Sequence, residues 1–178
     1  MKLIAIAAAA STILFAGSAS ADTPFNDTFG RIAGGAPCYF RVYDAGHMTA
    51  HARQTVTGIM IDYSPGEDAS YSAASFEVSF GFRLKRSEEW FSGPATCKQR
   101  GASFSCALEG DGGLFTLTPG KPGGLQLAVV NRGGTGKKDD QINLEGTSSF
   151  AGFGKPGGDD LVFVLPRIDR SACDNKRL

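Results

Sequence analysis

Histidine and tryptophan are scarce in this chain, and the patterns of several enzyme classes are missing from it. His47 and His51 are its histidines and Trp90 its one tryptophan among 178 residues. No G-x-S-x-G occurs after residue 21, so the nucleophile elbow of the α/β-hydrolases is not written here. No C-x-x-C spacing occurs, which removes the usual zinc-ribbon and thiol-redox patterns. An excess of one charge is also absent. The chain carries 18 basic and 18 acidic residues, and without Lys2 the balance is 17 to 18. Such a balance selects neither nucleic acid nor an anionic membrane as a partner. No long segment has the 3.6-residue period of an amphipathic helix, and residues 48–54 have room for one helical turn at most. Beyond residue 21 no apolar run approaches the roughly 20 residues that span a bilayer, so the exported chain is expected to be soluble.

The longest uncharged, largely apolar run lies at the start. Lys2 gives a positive charge, residues 3–16 carry none, and Ala19-Ser20-Ala21 places small residues where a signal peptidase cuts. Residues 1–21 are therefore read as a secretory signal, with export to the periplasm or the extracellular space. No cysteine stands at the cut, so a lipid anchor is not expected. Residues 22–36 lack periodicity and are read as an irregular N-terminal arm, leaving 37–178 as one β domain.

In an exported chain, an even cysteine count points to disulfides. Four cysteines allow three pairings, and one has local support. Cys97 and Cys106 flank a segment whose middle is Gly101-Ala102. A hairpin pairing 97 with 106 places its two-residue turn there, with glycine at the first central position as a II′ turn demands. Cys38 then joins Cys173.

The clearest periodicity runs from Ser75 to Lys85. Apolar residues hold every even position, and polar residues or glycine every odd one. That is a half-buried antiparallel strand. Residues 38–43, 55–63, 114–118, 125–130 and 142–144 read as further strands. Residues 161–165 are wholly apolar and read as a buried strand. Turn-forming Gly, Pro and Asp clusters recur between them at intervals typical of sandwiches and barrels. The fold class is all-β: a single antiparallel barrel or sandwich of about eight or nine short strands with two disulfides.

Candidate chemistry is thin. His47 and His51 could share a metal on a helix, but on a strand they would stand about 13 Å apart, too far for one ion. Solvated loop histidines are the plainer reading. Asp111, Asp139, Asp140, Asp159 and Asp160 lie in acidic turns of the kind that calcium favours, though none matches the EF-hand pattern, and aspartate also starts turns through its own backbone. No other cofactor is indicated. Glu88-Glu89 cannot flank one glycosidic bond from a strand, because neighbours point to opposite faces. Trp90 and Phe91 are candidates for a binding surface, with core packing the alternative.

The expected function is non-enzymatic binding of a small apolar molecule or lipid inside a barrel. The alternative is an envelope protein-interaction or inhibitor module, and the third is a hydrolase with a site that sequence does not display. An empty apolar cavity would favour the first, and a filled interior with an exposed patch around Trp90 the second.

Overall fold

A computed structural model describes residues 24–30, 36–63, 74–110, 112–130, 142, 144, 153–154 and 157–174. Nine antiparallel strands form a nearly closed barrel: β1 (Cys38–Val42), β2 (Val56–Asp62), β3 (Phe76–Leu84), β4 (Trp90–Arg100), β5 (Ser103–Leu108), β6 (Leu114–Pro119), β7 (Leu125–Val129), β8 (Val162–Leu165) and β9 (Arg167–Ile168). The sheet order is β8-β7-β6-β5-β4-β3-β2-β1-β9. From β1 to β8 the chain is a meander, each strand pairing with its sequence neighbour. Pro166, which has no N–H, separates β8, paired with β7, from β9, paired with β1, so the two ends of the sheet are brought together and the barrel is nearly closed. Among the described residues no helix is long and apolar enough to cross a membrane.

The alternation in β3 sets the inside of the barrel. Phe76, Val78, Phe80, Phe82 and Leu84 are buried, while Glu77 is exposed and Ser79 half-buried. Inward rings from other strands, from residues 24–29 and from Phe153 meet these in two groups. Toward one end, Phe76 lies 5.4 Å from Phe104 and 4.9 Å from Phe29, ring centre to ring centre. Toward the other, Phe80 lies 5.0 Å from Phe115, Phe82 lies 4.8 Å from Phe153, and Phe153 lies 5.7 Å from Phe163. Tilted and edge-on rings at these separations gain about 0.5–1.5 kcal/mol per pair beyond area burial.

The hairpin expected at Gly101-Ala102 is present. Cys97 faces Cys106, Arg100 faces Ser103, and Gly101 has φ +60. The Cys97–Cys106 disulfide bridges neighbouring strands on the inner face, and Cys38–Cys173 joins β1 to α3 (Arg170–Asp174). The Ile142–Leu144 strand reduces to one bridge, Ile142 with Phe153.

Three expectations change. Residues 24–29, read as part of an irregular arm, form helix α1 (Pro24–Phe29). Its period is too short to register in sequence, yet it places Phe25 and Phe29 one turn apart over Tyr63 and Phe76 at the barrel mouth. The Tyr39 hydroxyl donates to the Thr28 carbonyl at 2.7 Å and ties this helix to β1. A second helix, α2 (Ala45–Ala50), starts earlier than expected because Asp44 is its N-cap, its Oδ1 accepting from His47 N–H at 2.8 Å. Finally, residues 161–165 are not a strand buried on both faces. Phe163 and Leu165 point inward, whereas Val162 and Val164 are exposed.

Candidate functional site

Trp90 and Phe91 do not form one surface. Strand alternation sends Phe91 into the barrel, where its ring lies 5.7 Å from Phe82, and turns Trp90 outward. Trp90 lies over β2 and β1. Its ring stands 5.5 Å from that of Phe40, and a Cβ on Gly58 would come within 2.7 Å of its Cη2. Glycine at 58 is what lets the indole lie flat on the sheet. The Arg83 guanidinium covers Trp90 at 5.9 Å. Phe40, Met60, Cys38 and Cys173, with Trp90 and Ile168 against them, make a small second core on the outer face. Helix α3 is held there by the Cys38–Cys173 bond and by an ion pair between Arg170 and the buried Asp62. Cys38, Asp62 and Cys173 place ligand-type atoms within 4.8 Å of one another. Both sulfurs are consumed in the disulfide, however, so no thiolate is available to a metal there.

The second end of the barrel carries a polar group. His47 stacks between Tyr43 (4.4 Å) and His51 (4.3 Å), so helix α2, rather than the loop expected from sequence, brings the two histidines together. Gln54 fixes the tautomer of His47. Its Nε2 donates to the Val56 carbonyl, so its Oε1 faces His47 Nε2 at 3.0 Å, and that nitrogen carries the hydrogen. Asp44 meets the backbone of His47, not its ring. Burial pushes the Tyr43 phenol above its ordinary value; Arg41 beside it pulls down and Asp160 adds a smaller push upward.

Of the acidic candidates, Asp160 is buried. Its carboxylate accepts from Thr55 N–H at 2.7 Å, Thr55 Oγ1 at 2.5 Å and Val56 N–H at 3.1 Å. It is a clasp between the start of β2 and the turn before β8. Asp159 pairs with Arg53 at 3.0 Å instead. The two neighbours thus serve different partners. Asp111, Asp139 and Asp140 lie outside the described residues.

The residues missed in sequence are Val42, Val162 and Val164. At 45%, 53% and 54% exposure they are the large hydrophobic side chains exposed among the described residues. All three flank the line where β8 meets β1, and the Arg41 guanidinium reaches over that line to the Val164 carbonyl at 3.0 Å. The available signal was slight: a wholly apolar run on a barrel strand must put alternate residues outside. Compared with protein-family models, curated proteins and solved structures, the chain matches none.

Proposed function

We propose that the protein is an exported, non-enzymatic barrel that engages an envelope protein through its outer face, rather than a carrier of a small apolar molecule. The observation that carries this reading is the position of the apolar surface. Ring after ring from β3, β5, β6, β8 and the bridge residue Phe153 occupies the interior, while the exposed large hydrophobics Val42, Val162 and Val164 lie along one outer line. A carrier places its apolar surface around a void, whereas a module that docks places it outside. Two disulfides are compatible with an oxidising compartment, in keeping with a signal at residues 1–21.

A photocrosslinking amino acid replacing Val164 tests this in the living source. A discrete crosslinked protein is expected at that position and none at Glu77, exposed on the outer face of β3. Equal yields at both positions, or none at either, would overturn the reading.

A further inference from the structure

Among the described residues, one half-buried arginine has no partner. Strand β9 sets Arg167 opposite Tyr39 of β1, as it sets Ile168 opposite Cys38. Residues paired across an antiparallel ladder share a face. Cys38 and Ile168 belong to the small core on the outer face, and the buried Tyr39 belongs to the interior. Arg167 therefore projects inward, at the barrel mouth that α1 covers. Burial raises the Tyr39 phenol, and the Arg167 charge acts against it, in keeping with this register.

The Tyr39 hydroxyl is committed to the Thr28 carbonyl, a bond that brings α1 to the same place. Thr28 is 2% exposed, yet its Oγ1 has no hydrogen-bond partner among the described residues, and neither has the buried Nη2 of Arg167. The other half-buried arginines are engaged. Arg41 meets the Val164 carbonyl and the face of Tyr43, Arg83 meets Thr57 and the Trp90 ring, and Arg170 pairs with Asp62 and Asp174. Asp27 and Asp169, the carboxylates nearest in sequence to Thr28 and Arg167, are exposed, and among the described residues neither pairs with Arg167. A buried guanidinium nitrogen and a buried hydroxyl without acceptors carry a cost that one anion held by both would offset. Water could supply an acceptor there but no charge.

We infer that Arg167 and Thr28 form a carboxylate-binding site at the α1 mouth. The carboxylate accepts from Arg167 Nη2 and from Thr28 Oγ1, and so ties β9 to α1. A monoanion is the ligand because a single guanidinium supplies the positive charge, beside the Phe29 and Tyr39 rings that lie 6.2 Å apart. A phosphate dianion would keep one charge uncompensated in that setting. The planar fork of arginine also matches a carboxylate. The ligand is a free small acid or the C-terminal carboxylate of a partner chain, which present the same chemistry. This site faces inward, so it stands or falls separately from docking along the outer valines.

Titration of the full exported chain with sodium acetate, against sodium chloride and sodium phosphate at equal ionic strength, provides the test. The Arg167 Nε–H and Phe29 amide resonances are followed by NMR. Acetate should shift both along one saturable curve, and chloride and phosphate should not. Arg167→Gln should weaken acetate binding at least about tenfold, and Thr28→Val about three- to tenfold. Without acetate both variants should melt close to the parent, because neither side chain has a hydrogen-bond partner to lose. N-acetyl-trialanine distinguishes the sources. Binding at least about tenfold tighter than acetate, abolished by C-terminal amidation, would fit a chain terminus; affinity no better than that of acetate would fit a free small acid. A shift with chloride equal to that with acetate, a response that never saturates, or acetate binding unchanged in Arg167→Gln would overturn the inference. So would an Arg167→Gln chain that fails to fold, since Arg167 would then hold a structural partner already.

Discussion

Gly58→Ala isolates the packing of the outer face in one atom. The added Cβ would stand 2.7 Å from Trp90 Cη2 and 3.0 Å from Cζ2, against the 3.5–4.0 Å of a comfortable carbon contact. The next atom met is the Arg41 carbonyl oxygen at 3.7 Å, which is ordinary contact. The backbone has room, then, and the indole does not. To relieve the overlap Trp90 must lift by about 1 Å, loosening its contact with Phe40. Overpacking of this kind costs about 1–3 kcal/mol. For a chain of this size that lowers the melting temperature by roughly 2–12 °C, at 2–4 °C per kcal/mol. Trp90 is the sole tryptophan, so its emission reports the displacement directly and should move to longer wavelength. A double-mutant cycle makes the reasoning refutable. In a Trp90→Ala background, Gly58→Ala should be neutral or stabilising by up to about 1 kcal/mol, because its φ is open to alanine. An equal cost in both backgrounds, with emission unmoved, would show that the constraint on residue 58 is not the indole.

Further expectations follow from the clasp, the crosslinks and the buried phenols. Asp160→Ala leaves the buried Val56 N–H without its acceptor and should cost about 1–3 kcal/mol in urea unfolding; a loss under about 0.5 kcal/mol would mean the clasp is not holding β2 to β8. Removing Cys38–Cys173, 135 residues apart, should destabilise by about 5 kcal/mol, and removing Cys97–Cys106, 9 apart, by about 3 kcal/mol in the chain-entropy model; the reverse order would contradict it. Burial raises the Tyr39 phenol above its ordinary value, with Arg167 partly opposing, and its proton is donated to Thr28. The unfolded phenol therefore ionises first. The stability it contributes is complete below about pH 10 and is lost as pH rises through the folded value. Tyr39→Phe should cost about 1 kcal/mol at neutral pH and flatten the fall in melting temperature above about pH 10. An unchanged alkaline slope would assign that fall to other groups.

What sequence made legible was whatever repeats locally. Residues 75–85 alternate strictly, and β3 buries the expected even positions. The Gly101-Ala102 turn and the cysteine register named one disulfide between them, and elimination named the other. Helix α1 was hidden because six residues carry too little period, and its role depends on Tyr63 and Phe76, far along the chain. Trp90 and Phe91 looked like one aromatic pair, but adjacency in a strand means opposite faces. The line of exposed valines was hidden for a different reason. Whether Val162 and Val164 meet water or another layer depends on which strand stands beside β8, and that is decided by the turn at Pro166 and the pairing of β9 with β1. The clasp of Asp160 on Thr55 and Val56 spans over 100 residues, so in sequence it could not be told from a calcium-type turn.

The central claim is that the apolar interior belongs to the fold and the outer face to the partner. Native mass spectrometry of the protein released gently from its own envelope tests it most directly. The expected spectrum holds the processed chain alone or bound to another protein, with no small apolar molecule retained. A stoichiometric lipid or other apolar small molecule, lost only on unfolding, would place the ligand inside the barrel and contradict the account.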